Sequence, residues 1–371
     1  MACHLANSLH RAGFQVELVV LKDTGPVRDL LDGGVSVHVL KTLRVLGRGG
    51  RIVAAIPDLA RYLHARKPRL FHSPGNHTHI AAAAAVRLAR YGGLFIPKIT
   101  NPILKRGMPP WKRQLRRRVY AYAFAPASRI IVLSQAGVDR VAAIDANLAP
   151  KATFLHNPYV SETMIGCDGV QVRPQPPLIL SVGRLSRQKD HATLLRAAAL
   201  LQDQPWRLRI CGTGPKAAEL AELAENLGIA GRVEFAGFID DIVPHYAEAT
   251  VMVLSSRWED LPATMIEAMA CGCPLVTTAS SEAVEDFIAN VGGHPPVPIA
   301  DPAALSIAIA KGLQGQLPQV SRGAMLAHGV ETACAAHAAL FSKLMAETAD
   351  AEPRAGIPAA PVSAASIGQI V

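Results

Sequence analysis

Cysteine is scarce, and its spacing carries no pattern. Cys3, Cys167, Cys211, Cys271, Cys273 and Cys334 include no CxxC pair, so neither a zinc ribbon nor a disulfide framework is expected. A reduced, cytosolic setting fits this usage. Aromatic residues make up only 5% of the chain while hydrophobic residues reach 50%. That mix suits α/β layers built on Ala, Leu and Val. No apolar run is long enough to span a bilayer, and the opening residues lack the pattern of a signal peptide. The basic stretches lack interleaved aromatics and any base-reading motif, so nucleic acid is not expected as a partner.

What is present is length and a lopsided charge. The 371 residues suffice for two domains, each with its own core. The net charge is +9, unevenly spread. Residues 1–160 carry 24 Lys and Arg against 7 Asp and Glu, and residues 161–371 carry 14 against 22. Two domains with different partners are expected. The first is expected to meet something anionic: phosphate, a membrane surface or nucleic acid.

Helix and strand alternate throughout. In the first half, helices are expected over Ala2–Arg11, Arg51–Arg66, His79–Arg90, Trp111–Phe124 and Gly137–Ala143. Strands are expected over Phe14–Val20, Val35–Leu40, Arg69–His72, Phe95–Thr100, Arg129–Ser134 and Thr153–His156. Turn-rich residues 166–177 read as a linker. The pattern then restarts with strands over Leu178–Val182, Trp206–Cys211, Val233–Ala236, Val251–Leu254 and Pro274–Thr277. Helices over Ala192–Leu201, Lys216–Leu227, Ile242–Ala249, Pro262–Ala270, Ala303–Leu313 and Gly329–Glu347 alternate with them and follow. The expected domains are therefore 1–165 and 178–347, with an Ala/Pro/Ser-rich tail over 348–371 read as disordered.

Two strings of βα units predict two doubly wound, mostly parallel sheets. Ligands then bind beyond the carboxyl ends of the strands, with a shared site in a cleft between the domains. A doubly wound domain ordinarily opens on a strand and a Gly-rich loop. This sequence opens on the helix that would follow them. Either the first domain is built without its first strand, or the native chain extends upstream; the second is the expectation.

The stretch WEDLPATMIEAMACG, Trp258–Gly272, carries the sharpest chemistry. Glu259 lies just before a helix and Glu267 within it, in an otherwise apolar segment. A buried, unpaired carboxylate costs several kcal/mol, so Glu267 needs a partner. Backbone amides of Leu261, Ala263 and Thr264 stand at the helix N-terminus, where an anion is favoured. Eight residues of helix span roughly 12 Å, about the reach from a sugar across a diphosphate to a ribose. Each carboxylate can accept from a pair of hydroxyls. A capping Glu259 and a structurally paired Glu267 fit the same spacing. Upstream, a strand ends in Gly183-Arg184 and Lys189 follows. A glycine there admits close approach of a ligand, and the two cations suit a diphosphate, though two cations before a helix are more often a solvated surface. Gly212, in the strand-end sequence RICGTGP, is a second candidate, on the weak signal of a lone GxG.

Together these blocks resemble the retaining, nucleotide-sugar-dependent glycosyltransferases of family four. The likeness rests on GRLSRQKDHATLLRA, CGTGP, VEFAGFIDDI, VLSSRWEDLPATMIEAMACGCPLVTT and the later DPAAL. It is specific over Leu178–Leu313 and looser in the first half, at LANSLHRAGFQVELVV, RIIVLSQAGVDRV and HNPYV. The resemblance implies a GT-B architecture, two Rossmann-like domains facing across a cleft, with the donor on the second. By carry-over, Arg184 and Lys189 meet the diphosphate, Glu259 the donor sugar's hydroxyls and Glu267 the ribose diol. Gly183, Gly212, Asp260 and Leu261 complete the donor-binding set. It also implies a hexosyltransferase with no resident metal or cofactor, the nucleoside-diphosphate sugar serving as co-substrate. Asp260 stands where the family usually has glycine, and Ser280-Ser281 lie near where it has a glycine pair.

His72 ends a strand in FHSPGNHTHI, with His77 and His79 behind it. The family often has a catalytic-site histidine just after this strand, which makes His72 a candidate catalytic group and His77 a candidate contact; structural roles fit both. The segment PPWKRQLRRRVYAYAF is strongly basic with a recurring apolar side. It reads either as a helix lying on anionic lipid at the inner membrane face or as a domain helix with a solvated side. The leading expectation is a cytoplasmic transferase of a sugar from a UDP- or GDP-linked donor to a saccharide or lipid-linked hydroxyl acceptor. It would act in cell-surface polysaccharide or glycolipid synthesis. A catalytically degenerate donor-binding homologue, or a basic membrane- or nucleic-acid-binding protein, is the alternative.

Overall fold

The computed structural model describes residues 2–22, 28–42, 47–167, 174–351 and 366–370. The chain forms two compact units. The first comprises Met1–Pro158 with Val330–Val371, and the second Tyr159–Gly329.

In the first unit, β1 (Gln15–Val20), β2 (Ser36–Val39), β3 (Leu70–Ser73) and β4 (Leu94–Pro97) belong to one parallel sheet. β5 (Ile130–Val132) pairs with β6 (Ala152–Phe154), and a bridge from Lys98 to Ile131 continues the run from β4. Successive side chains point to opposite faces. Phe71 and Phe95 therefore join one buried cluster with Leu63, Ala82 and Phe124, while Leu70 and Ile96 join another with Leu5, Leu9 and Phe341. The expected helix over Arg51–Arg66 forms as two, Arg48–Ala54 and Ile56–Arg66, split at Ala55. Pro57 is the reason, since its ring tolerates only the first turn of a helix.

Two expectations are corrected here. The helix expected to close the second domain forms over Val330–Ala351 and belongs to the first unit, where Cys334, Phe341, Leu344 and Met345 pack beneath Leu5 and Leu9. Linear order could not show that the chain returns. The tail was expected to be disordered throughout, yet Ser366–Ile370 is a strand lying between β1 and β3. It pairs in parallel with both, with Leu18 opposite Gln369 on one side and Phe71 opposite Gly368 on the other. Composition weighs only a segment's own ability to bury surface. It does not register that β1 and β3, one strand apart, each present unpaired backbone groups that are costly to bury unbonded. Residues 352–365 lie outside the described residues. Deleting Ser366–Val371 is expected to lower the first unit's melting temperature by about 10 °C, on the order of 3 kcal/mol of lost pairing. An unchanged calorimetric melt would show that the strand contributes nothing.

The second unit holds a five-stranded parallel sheet. Its strands are β7 (Leu178–Val182), β8 (Arg207–Cys211), β9 (Val233–Gly237), β10 (Val251–Leu254) and β11 (Leu275–Thr277), in the order β11-β10-β7-β8-β9. Ile179, Val251, Val253 and Val276 face one buried cluster, and Leu180, Met252 and Leu254 the other. Both faces are covered, as an all-parallel sheet requires. The strand order reverses between β7 and β10. Crevices beyond the carboxyl ends of strands at such a reversal are where doubly wound sheets bind ligands. The helix Glu282–Asn290 was not expected. Its signal was Ser281, whose hydroxyl accepts from the Val284 amide as an N-cap.

Candidate active site

Two loops emerge at that reversal, residues 183–190 after β7 and 255–262 after β10. Glycine shapes the first. Gly212, at φ +144°, packs so closely that a Cβ there would stand 2.1 Å from the Gly183 carbonyl oxygen. The β8 strand end thus lies flush against Gly183, bonded through Gly183 N to Cys211 O at 2.9 Å. Gly212 shapes the loop rather than facing open space. Gly183 in turn leaves room for the Lys189 stem, whose Cε would be 3.1 Å from an added Cβ.

Lys189 reaches across to the second loop. Its Nζ lies 2.8 Å from Glu259 Oε1, with side chains 17% and 8% exposed. Glu259 Oε1 also accepts from Ser256 Oγ at 3.0 Å, and Oε2 from Gln188 Nε2 at 3.2 Å. Gln188 donates to the Trp258 carbonyl too, at 3.0 Å, and its own carbonyl accepts from the Arg257 amide. Ser255 Oγ donates to the carbonyls of Lys189 and Asp190, both at 3.0 Å. The loops are stitched into one rigid piece, so Glu259 is fixed in position without substrate. A buried carboxylate accepting from several donors is what an ionised acceptor needs away from water.

Arg184 is exposed and has no ion-pair partner among the described residues. Asp260 and Leu261 are buried. The Asp260 carbonyl accepts from Ser281 Oγ at 2.9 Å, and Leu261 joins the apolar cluster under the helix Ala263–Ala270. The amides of Leu261, Ala263 and Thr264 donate to no group among the described residues. They are the orphan donors of a helix N-terminus, a place that favours an anion.

Glu267 sits half-buried on that helix. Its Oε2 accepts from the Tyr246 hydroxyl at 2.9 Å. Burial raises the carboxyl's pKa, while the Tyr246 bond and the Lys189 charge oppose the rise. Lys189 therefore acts on both glutamates, by contact with Glu259 and through space on Glu267.

The candidate histidines of the first unit differ in burial. His72 is wholly buried, with Nδ1 donating to the Ile96 carbonyl at 2.8 Å and Nε2 unpartnered. Burial, then the charges of Lys98 and His337, hold its pKa well below the usual value, so the ring is neutral. The expectation of a substrate-facing His72 is thus corrected to a core position. The alternating pattern of β3 gave no warning, because its inward and outward residues are all buried. His77 is exposed, while His79 is buried with Nδ1 2.9 Å from Ser73 Oγ. Among the described residues no three His, Cys, Asp or Glu side chains are grouped as metal ligands. Beside His72, the buried Lys98 Nζ donates to His337 Nε2 at 3.2 Å, and burial lowers its pKa to about 7. A lone lysine in the apolar run FIPKIT was the available signal.

Residues 169–320 match the family "Glycosyl transferases group 1", and residues 1–158 match "Glycosyl transferase 4-like domain". This chain belongs to the group 1 glycosyltransferases. Among curated relatives of this glycosyltransferase is the lipopolysaccharide core biosynthesis glycosyltransferase LpsE of Rhizobium meliloti, 39% identical over 104 residues, 28% of this chain and 30% of the relative. Another is the amylovoran biosynthesis glycosyltransferase AmsD of Erwinia amylovora, 28% identical over 183 residues, 46% and 50% of the two chains. The chain thus spans 30% to 50% of the length of these relatives. Among solved structures, Anabaena HepE in complex with UDP-glucose superposes with a TM-score of 0.66 at 20% identity, covering 94% of each chain. That likeness establishes the fold, the two Rossmann-like units of GT-B.

Proposed function

We propose that the protein transfers a hexose from a nucleoside-diphosphate sugar to a hydroxyl acceptor, with retention and without a resident metal, in cell-surface polysaccharide or glycolipid synthesis. One observation carries this reading. At the switch point of the second unit's sheet, Lys189 acts on both Glu259 and Glu267, beside the unpaired amides of a helix N-terminus. Those groups match an anion flanked by two hydroxyl-bearing rings. Lys189, the exposed Arg184 and the amides neutralise the diphosphate. Glu259 accepts from the donor sugar's hydroxyls and Glu267 from the ribose diol. In the reaction the bond from the anomeric carbon to the diphosphate oxygen breaks and a bond to the acceptor oxygen forms on the same face. The departing diphosphate oxygen takes the acceptor's proton, so the protein need supply no nucleophile.

The named roles of LpsE and AmsD support a surface-polysaccharide or lipopolysaccharide product, and the UDP-glucose bound by HepE puts UDP first among nucleotides to test. Calorimetry with UDP, GDP and ADP is the test. Micromolar binding of one is expected, and a folded protein that binds none would overturn the reading.

The acceptor side of the proposal draws on the helix Pro110–Phe124. Trp111, Leu115 and Tyr122 are 65%, 55% and 65% exposed, among exposed Lys112, Arg113, Arg117 and Arg118. No described helix is long and apolar enough to cross a membrane. A basic helix with exposed apolar groups suits peripheral attachment to anionic lipid, at the inner membrane face of the cytoplasm where a lipid-linked acceptor is presented. Co-sedimentation with vesicles containing phosphatidylglycerol, falling steeply with salt, is expected. Equal partition onto neutral vesicles would count against it.

A further inference from the structure

Tyr246 lies on the helix Val243–Glu248, 21 residues before Glu267, and is wholly buried. Its ring belongs to the apolar cluster of Leu180, Met252, Leu254 and Met265. A buried phenol needs a hydrogen-bond acceptor, and Glu267 Oε2 provides one at 2.9 Å. The bond also fixes the glutamate. A free glutamate side chain on a helix samples many rotamers, and ordering it on ligand binding costs about 1–2 kcal/mol. With Oε2 tied to a ring locked in the core, that ordering is complete before any ligand arrives. Oε1 has no hydrogen-bond partner among the described residues and is left to accept from outside.

We infer that Tyr246 is a positioning residue for the nucleotide, holding Glu267 by Oε2 so that Oε1 is presented to the ribose hydroxyls. This rests on the reading of Glu267 as the ribose ligand. The residue touches no substrate itself and acts only through the carboxylate.

The test uses the full chain, Tyr246→Phe and Glu267→Gln, titrated calorimetrically with UDP, GDP, ADP and their 2′,3′-dideoxy forms. Phenylalanine keeps the packed ring, so the melting temperature checks that the fold is retained. The wild type is expected to prefer the ribose form of its nucleotide. Tyr246→Phe is expected to lose about tenfold in affinity for that form and little for the dideoxy form, so the preference collapses. A merely structural role would weaken both alike. If Glu267→Gln loses the preference and Tyr246→Phe keeps it, the positioning role is overturned. If the wild type shows no preference, the ribose assignment of Glu267 fails first and the inference goes with it.

Discussion

Lys189→Ala is expected to reduce turnover at saturating donor by about 10²–10³-fold, the range for removing one preorganised donor from a developing anion. The lysine is held 2.8 Å from Glu259 and is 17% exposed, so its charge acts where water screens it little. As the diphosphate departs it gains negative charge, and a fixed cation favours that state over the bound substrate. The same substitution has a second effect. Glu259, 8% exposed, loses its counter-charge, and breaking such a pair costs about 3–5 kcal/mol in folding stability. A drop in activity could then reflect unfolding. The double variant Lys189→Ala with Glu259→Ala separates the two, because removing both partners relieves the uncompensated charge. Stability should return toward the wild type while turnover stays low. Single-turnover rates beside thermal melts read this out. Wild-type turnover in a folded Lys189→Ala protein would remove the lysine from the chemistry.

The candidate site is legible where chemistry is local in the chain. Gly183, Arg184 and Lys189 lie within seven residues of one another at a strand end, and Glu259 and Glu267 are eight apart across a helix start. Short-range spacing with strand and helix signals therefore placed them on one edge of one sheet. What escaped were partners joined by folding alone. Gln188 meets Glu259 across 71 residues and Tyr246 meets Glu267 across 21. Neither has a spacing that periodicity can read. A carboxylate in an apolar helix needs a partner, as the sequence implies, but the phenol that holds one oxygen is invisible until the helices pack. Gly212 was read as a ligand contact from a weak pattern, and its real constraint is the Gly183 carbonyl 2.1 Å from where a Cβ would stand.

The fold was legible in the second unit, where apolar runs such as Leu178–Val182 and Val251–Leu254 mark buried parallel strands. In the first unit, local signals pointed the wrong way at three places. Pro57 split one helix into two. The helix Val330–Ala351 follows the second unit in sequence but packs in the first. The strand Ser366–Ile370 takes its order from the neighbours it pairs with rather than from its own composition. His72 was misjudged for a related reason. A strand end is an open edge only if nothing covers it, and His72 is closed in by the Ile96 carbonyl, Lys98 and Phe341.

Glu267→Ala is expected to weaken nucleotide binding by about 10–100-fold while leaving the loops around Lys189 and Glu259 intact. Hydrogen bonds to a charged acceptor contribute about 1.5–3 kcal/mol, and a ribose diol can make two. The effect should fall on affinity more than on turnover, because the ribose is bound equally in the ground and transition states. Truncation has a structural cost as well, since it strands the buried Tyr246 hydroxyl, worth about 1–3 kcal/mol of stability. Glu267→Gln resolves the ambiguity. Its amide oxygen can still accept from Tyr246, so the melting temperature should hold near the wild type, while the uncharged, half-donor side chain binds the diol poorly. Loss of affinity in both variants with loss of stability only in the alanine variant is the expected pattern. Full affinity in Glu267→Gln would mean that the carboxylate serves Tyr246 alone. The eight-residue spacing to Glu259 would then be a matter of packing, not of spanning a nucleotide sugar.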